Sequence, residues 1–275
     1  MRPTDPASPF DLHRVGDEFH LLVPPGWLQG RGAFGGLVVA WLARAMELTE
    51  SDATRVVRTL AAEIVAPVAA GPATIRVEAL RVGKGVSTYA ARMLQAGSGG
   101  DEVVAHATAS LGKRRIADRD FALPAAPDAP PPSFVDAIPI GPPLGPEFAQ
   151  HVDFRPISGL PMSAPGGLAD GEARALGYVR LKEAPPCVDT AYLAAIADAY
   201  WPTLLTTEPM LRPTATLSFS LDILVDPRTL SPATTFLVAS RSIAGRDGYV
   251  VEDREVFDEA GRLVALNRQT FVIIK

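Results

Sequence analysis

One carboxylate in this sequence stands in surroundings that favour chemistry. Between Asp189 and Glu208 the only charged side chain is Asp198, which lies in an otherwise apolar helical segment. A buried carboxylate is costly unless it is hydrogen-bonded, and burial moves its pKa. Asp198 is therefore a candidate general base or electrostatic anchor. The alternative is an Asp on an exposed flank near the end of the helix, because Pro202 soon interrupts it.

Two uncharged polar side chains follow in the sequence. Gln269 alternates with apolar residues between Leu263 and Ile273, so it lies on the apolar face of a predicted strand. A buried amide needs partners, either in a site or on the backbone. Thr216 shares its parity with polar residues such as Ser218, which also fits a hydrated strand face. Pattern alone is therefore weaker evidence for Thr216 than for Gln269.

Gly35 and Gly36 open a long apolar helical segment, residues 34–48. Free N–H groups at a helix N-terminus suit a developing oxyanion, although glycines can also serve close packing. The sequence contains neither the G-x-S-x-G of a serine hydrolase nor a glycine-rich phosphate loop. We therefore expect chemistry without a nucleophilic serine at such an elbow.

The elements that must position these residues are duplicated. Residues 65–105 match residues 225–265 at an offset of 160, with eleven identities in 41 positions. At this offset Gln269 falls on Ala109 and Thr216 on Val56, and Asp198 falls on no polar residue of the first-half helix. The sequence thus predicts two diverged copies with one active site, in the second.

Each copy has one apolar helical segment followed by strand-like runs, which predicts an α+β fold of a helix covered by an antiparallel sheet. The helical segments are 34–48 and 190–205. The predicted strands are 55–66, 72–82, 86–96 and 102–112, then 213–225, 233–242, 248–257 and 262–274. A proline-rich stretch separates the copies. We expect an N-terminal unit over 1–117, a linker over 118–147 and a C-terminal unit over 148–275.

Composition narrows the function classes. A formal net charge of -5 argues against a nucleic-acid surface. The single cysteine, Cys187, excludes an intramolecular disulfide and a cysteine metal cage, and the four histidines form no ligand pattern. No apolar run approaches the ~20 residues of a membrane span, and the N-terminus has no signal-peptide core. We expect a cytoplasmic enzyme with no membrane span, no nucleic acid and no metal or redox cofactor.

These features together resemble the acyl-CoA thioesterase II family, whose fold is the double hot-dog. The resemblance rests on the Phe34-Gly35-Gly36 opening of the first helix and on the polar trio of the second half. The family places its catalytic Asp, Thr or Ser, and Gln where this chain has Asp198, Thr216 and Gln269. It also implies that backbone N–H groups near Gly36 hold the thioester carbonyl.

The resemblance implies hydrolysis of acyl-CoA thioesters to fatty acid and coenzyme A, as part of lipid metabolism. It also implies a homo-oligomer, because the sheet edges of such units tend to meet. Two alternatives stay open. A hot-dog dehydratase or hydratase of 3-hydroxyacyl thioesters usually needs a His–Asp pair, and neither central helix holds a histidine. A non-catalytic acyl-thioester binding protein is the other.

Overall fold

A twelve-stranded antiparallel sheet dominates the protein. The computed structural model describes residues 8–163 and 173–274; residues 1–7, with which the predicted N-terminal unit begins, lie outside them. The strand order on one side of the centre of this sheet repeats on the other, so the sheet is built from two equivalent halves.

Each half contributes six strands to this sheet. In the first half they are β1 His13–Val15, β2 Glu18–Val23, β3 Leu28–Gln29, β4 Gly32–Ala33, β5 Val56–Ile64, β6 Gly71–Val82, β7 Val86–Gly97 and β8 Gly100–Gly112. In the second half they are β9 Val152–Ser158, β10 Arg174–Leu181, β11 Thr214–Ile223, β12 Phe236–Arg246, β13 Tyr249–Phe257 and β14 Leu263–Ile273. The strand order in the sheet is β1-β2-β6-β7-β8-β5-β11-β14-β13-β12-β10-β9, so β5 and β11 form the central junction, and β3 and β4 form a separate pair. The eight predicted strands are confirmed as β5–β8 and β11–β14, whereas β1–β4, β9 and β10 were not predicted.

Two buried helices lie side by side against this sheet. Helix α1, Gly35–Thr49, packs on β5–β8, and helix α2, Thr190–Ala199, packs on β10 and β14. The start of α1 meets the end of α2, so the helices run antiparallel. The predicted segment 190–205 is wrong in its length, because α2 ends at Ala199 and a separate turn, α3 Leu204–Thr207, follows. Among the described residues, no helix combines the length and apolarity that crossing a membrane requires.

Strand pairing shows that no single offset relates the two copies. Ala109 of β8 pairs with Tyr89, whereas Gln269 of β14 pairs with Glu252. If β8 and β14 correspond at an offset of 160, then the partners Tyr89 and Glu252 correspond, and the offset between β7 and β13 is 163. Tyr89 is 3% exposed and Tyr249 is 50% exposed, so the match at 160 joined residues on opposite faces. The gapless offset of 160 is thus wrong for these strands.

The β-bulges give the same correction independently. Register shifts lie between Ala79 and Arg81 in the first half and between Ser242 and Ala244 in the second, which again gives 163. In β5 and β11 the shifts after Val57 and after Thr216 differ by 159. The structural counterpart of Thr216 is therefore Val57, not Val56.

The proline-rich segment between the copies lies against the second half of the sheet. Arg155 of β9 donates from Nη1 to the Pro132 and Val135 carbonyls, at 3.2 and 2.9 Å. The Tyr178 hydroxyl of β10 donates to the Pro130 carbonyl at 2.9 Å. These bonds fix the middle of the segment over β9 and β10.

Candidate active site

The end of α2 presents Asp198 to the first turn of α1. Asp198 is 8% exposed. A Cβ added to Gly35 would lie 2.9 Å from Asp198 Oδ2, and one added to Gly36 would lie 2.8 Å from Asp198 Cβ. This close approach explains the two glycines, since any side chain there would displace the carboxylate. Asp198 is buried as predicted, not on an exposed flank.

The α1 N-terminus receives this carboxylate in place of a side-chain cap. Phe34 at the N-cap position makes no side-chain capping bond. The N–H groups around the glycines are bonded to backbone, Phe34 to Trp27 and Leu37 to Phe34. The Gly36 N–H donates to Asp198. The positive end of the α1 dipole therefore faces a buried negative charge, which favours its ionised form.

Gln269 and Thr216 lie beside Asp198 on the inner face of the sheet. The Gln269 amide hydrogen-bonds to Asp198, and its Nε2 donates to Asn267 Oδ1 at 2.9 Å. Thr216 Oγ1 donates to Gln269 Oε1 at 3.4 Å, a long contact. The three predicted residues thus form one connected group, and Gln269 is its centre.

A bulge explains why the alternation of residues understated Thr216. The register of β11 shifts between Thr216 and Ser218, so Leu217 is an extra residue. A bulge reverses the faces of the residues before it. Thr216 therefore pairs with inward-facing Phe271 and lies on the inner side, whereas its apparent partner in parity, Ser218, does not.

Opposing influences set the protonation of Asp198. Burial raises the pKa of Asp198 to about 6 from the usual 3.8. The Arg254 guanidinium, the Gln269 amide and the Gly36 N–H lower that pKa, and the Glu252 carboxylate raises it. A carboxyl group with a pKa near 6 is ionised at neutral pH yet basic enough to take a proton from water in a transition state. The site can thus perform general-base chemistry.

Two charged residues of the site were missed by sequence reasoning. Glu252 and Arg254 of β13 are 0% and 1% exposed, and they form an ion pair at 2.7 Å. They occupy every second position between Val250 and Val256, which face inwards, and this shared parity was the signal in the sequence. Charged residues at inward positions of a strand indicate a buried pair or a site.

A second carboxylate, Glu47, lies at the other end of the helix pair and was also missed. Its Oε1 accepts a 2.6 Å hydrogen bond from the hydroxyl of Thr190 at the start of α2. Burial raises the pKa of Glu47 to about 7. The offset of 160 places Asp198 on Val38, nine residues before Glu47, so comparing the copies at that offset did not reveal Glu47.

The fold recurs in solved structures of similar length. A hot-dog-fold protein of unknown function from Alicyclobacillus acidocaldarius is 26% identical with a TM-score of 0.84, over 97% of this chain and 96% of that one. The tesB protein of Mycobacterium avium subs paratuberculosis is 16% identical with a TM-score of 0.76, over 97% of each chain. The acyl-CoA thioesterase II TesB2 of Mycobacterium marinum is 18% identical with a TM-score of 0.70, over 97% and 96%. These likenesses show that the fold is of the hot-dog type.

Family models identify the chain more directly. Residues 23–112 match the model of the acyl-CoA thioesterase N-terminal domain, and residues 122–273 match that of the C-terminal domain. No curated protein matches the sequence at a significant level. The two matches follow the two halves of the sheet in order and leave only residues 113–121 between them. The protein belongs to the acyl-CoA thioesterase family, and it is a thioesterase.

Proposed function

We propose that the protein hydrolyses acyl-CoA thioesters with a water molecule activated by Asp198. The observation that carries this proposal is the position of Asp198, a buried carboxylate held between the open N-terminus of α1 and the Gln269 amide. Burial gives this carboxylate the basicity that a general base needs near neutral pH. The family match supports acyl-CoA as the substrate class.

In the proposed reaction, water attacks the carbonyl carbon of the thioester and Asp198 accepts its proton. The tetrahedral intermediate then collapses, the carbon–sulfur bond breaks, and coenzyme A leaves as a thiolate. The proton held by Asp198 passes to the thiolate or to solvent, which returns the site to its starting state. Because a thiolate is a good leaving group, a weak acid is sufficient to protonate the departing sulfur. Water attacks the thioester directly, so no covalent intermediate with the protein forms.

Thr216 and Gln269 position the water in this proposal. The Thr216 hydroxyl bonds to the Gln269 amide, which in turn bonds to Asp198. Asn267 fixes the Gln269 amide by accepting from Nε2, and Asn267 Nδ2 is itself bonded to the Ser220 carbonyl at 2.7 Å. A water beside this row would find one acceptor for its proton and polar partners for its orientation.

The two glycines divide their roles. The Gly36 N–H is already committed to Asp198, so it orients the base. The Gly35 N–H, one position earlier in the uncapped first turn of α1, is then the donor for the thioester carbonyl oxygen. An oxyanion that forms there also gains from the helix dipole.

The proposal includes the two-unit organisation, with one hot-dog unit over 1–117, the linker over 118–147 and one unit over 148–275. Its support is the repeated strand order on either side of the β5–β11 junction, with one buried helix on each side. In this arrangement α1 supplies the helix N-terminus and the second unit supplies the carboxylate and both polar partners. The active site therefore needs both units, although only one copy carries the polar trio.

A substrate panel tests the proposal. Purified protein is incubated with saturated acyl-CoAs of increasing chain length and with matched enoyl- and 3-hydroxyacyl-CoAs, and free thiol is measured. We expect thiol release from the saturated esters and no acylated protein by mass spectrometry during turnover. Interconversion of the enoyl and hydroxyacyl esters without thiol release, or a stable acyl adduct on Thr216, would contradict the proposed reaction.

A further inference from the structure

The inner face of β12–β14 carries a belt of polar side chains beneath the end of α2. Neighbouring strands align these side chains in two adjacent rows, and the middle residue of each row is charged. Such a belt is unusual on a face that otherwise packs against an apolar helix. The rows are Ser240, Arg254 and Asn267, and Ser242, Glu252 and Gln269.

Arg254 connects strand β13 to the last turn of α2, which contains Asp198. Its Nη1 donates to the carbonyl of Ala197, the residue before Asp198, at 2.9 Å. Its Nε donates to Glu252 Oε1 at 2.7 Å, and its guanidinium lies 5.7 Å from the ring centroid of Phe271. Its Nη2 is buried and has no hydrogen-bond partner among the described residues. Glu252 thus satisfies only part of the hydrogen-bonding capacity of this guanidinium.

Glu252 holds the chain on the other side of Asp198. Its Oε2 accepts from the Thr203 N–H at 2.6 Å and from the Thr203 hydroxyl at 2.7 Å. The same hydroxyl contacts Ser242 Oγ at 2.8 Å. The ion pair therefore anchors the backbone immediately before and shortly after the carboxylate, and it does so with fully buried charges.

We propose that Arg254 and Glu252 form a positioning pair that holds Asp198 at the α1 N-terminus, through the Ala197 carbonyl on one side of it and Thr203 on the other. The inference rests on the proposed function for its catalytic meaning, but the effect on Asp198 can be measured without catalysis. The pair acts through Asp198 and does not touch the reacting atoms.

The charge arrangement gives each member of the pair a distinct signature. The groups that face Asp198 are the Gly36 N–H from α1, the Gln269 amide from β14, and Arg254 and Glu252 from β13. Arg254 lowers the pKa of Asp198 more than Glu252 raises it. Removing the positive member should raise the Asp198 pKa, and removing the negative member should lower it. A purely structural role would produce no such opposition of sign.

The test is a carboxyl ¹³C NMR titration of Asp198 in the wild type and in variants, with the pH–rate profile beside it. In Arg254→Gln we expect the Asp198 pKa to rise by about one unit or more, and the acidic limb of kcat/KM to move with it. In Glu252→Gln we expect a smaller shift to lower pH. Arg254→Lys, which keeps the charge, should return the pKa towards the wild-type value.

Arg268→Gln is the matched control. Arg268 lies on β14 between Asn267 and Gln269 but points outwards to an exposed ion pair with Asp253 at 2.5 Å. The substitution removes an arginine from the same part of the sheet but from its opposite face, so it should leave the Asp198 pKa unchanged. If Arg254→Gln does not fold, the double variant Arg254→Gln/Glu252→Gln removes both buried charges together, and a smaller rise is still expected.

An unchanged Asp198 pKa in Arg254→Gln, or in the double variant where the single one does not fold, overturns the inference. A uniform loss of kcat at every pH beside that unchanged pKa would show that the pair has a purely structural role. If the Asp198 pKa moves as expected while the pH–rate profile does not follow, the positioning pair stands and the role of Asp198 as the base is wrong.

Discussion

The two ends of the antiparallel helix pair carry similar groups in different surroundings. At one end, Asp198 of α2 meets an α1 N-terminus that has no side-chain cap and two glycines. At the other end, Glu47 of α1 meets an α2 N-terminus that is already capped, because Asp189 accepts from the Tyr192 N–H at 2.8 Å. Asp189 also binds Arg44 at 2.5 Å. One helix end is open to an anion and the other is filled by an ion pair.

The strands that pack beneath the two ends of the helix pair also differ in the polarity of their inward-facing side chains. Around Asp198 the inner face of the sheet is polar, whereas the pairing counterparts of those residues in the first half are almost all apolar. The counterparts, in order, are Val57 for Thr216, Val77 for Ser240, Ala79 for Ser242, Tyr89 for Glu252, Ala91 for Arg254, Ala107 for Asn267 and Ala109 for Gln269. A carboxylate survives at both ends, but only one end keeps partners that could orient a water.

Asp198 and Glu47 are alike in their burial but differ in the polar groups around them. Burial raises the pKa of both carboxyl groups towards neutrality, to about 6 for Asp198 and about 7 for Glu47. The raised pKa therefore does not by itself distinguish the proposed base from Glu47. The open helix N-terminus and the Gln269 amide distinguish the proposed base from a carboxyl group that bonds to Thr190 across the helix interface.

The largest expected effect is the loss of the base. Asp198→Asn keeps the shape of the side chain but removes its charge, and general-base loss typically costs ~10²–10⁴ in rate. Glu47→Gln is the matched variant at the other end and should leave kcat/KM unchanged. The measurement is thiol release from the best acyl-CoA of the panel. Wild-type turnover by Asp198→Asn, or an equal loss in Glu47→Gln, would remove the functional distinction between the ends.

The polar partners of the water should matter less than the base. Gln269→Ala should lower kcat by roughly 10²-fold, as is typical of the loss of one oriented polar group, and Thr216→Val by less because its contact to Gln269 is long. The double variant should lose less than the product, since both residues serve one water. Ala109→Ser and Val57→Thr, the counterpart positions, serve as controls for kcat. A multiplicative double variant would indicate two independent roles.

Local sequence patterns were sufficient for the eight main strands, for helix α1 and for most of the proposed site. The isolated charge of Asp198 and the alternation around Gln269 are features of single elements, and the structure brings both residues together with Thr216. Patterns failed where one inserted residue changes the face of a strand. Leu217 is such a residue. The offsets of 159 and 163 hold on both sides of the matched bulges, so the change from one offset to the other arises in the connections between the strands.

Contacts between distant elements could not be predicted from local patterns. Glu47 and Thr190 lie 143 positions apart, and their bond depends on the antiparallel packing of the two helices. The alternation along β13 places Arg254 and Glu252 on its inward face, but it does not reveal Ala197 and Thr203, whose hydrogen bonds make the burial of the two charges acceptable. Such pairs become visible when the elements are placed in three dimensions.

The first turn of α1 offers a steric test of the open end. In Gly35→Ala the new Cβ would lie 2.9 Å from Asp198 Oδ2, so the carboxylate must move, and we expect about a tenfold loss of kcat. In Gly36→Ala the Cβ would meet the Phe34 ring at 2.6 Å and Asp198 Cβ at 2.8 Å, which should also lower the melting temperature. Gly99→Ala, with open space around it, is the control. Full activity in Gly35→Ala would show that the close contact is not required.

The smallest expected effect is on stability, and it has the same sign at both ends. A carboxyl group whose pKa is raised by folding stabilises the protein below its unfolded-state pKa and loses that contribution as pH rises through the folded-state value. For Glu47 this window runs from 4.5 to about 7, and for Asp198 from 3.8 to about 6. Glu47→Gln and Asp198→Asn should therefore each raise the free energy of unfolding at pH 8, by on the order of 1–3 kcal/mol, and much less at pH 5. Urea unfolding at the two pH values measures the difference. If both variants are more stable at pH 8 and only Asp198→Asn is inactive, then a buried charge destabilises both ends, and only the charge at the open end serves catalysis. If Glu47→Gln is instead less stable at pH 8, then the hydrogen bond from Thr190 stabilises the protein by more than the buried charge destabilises it.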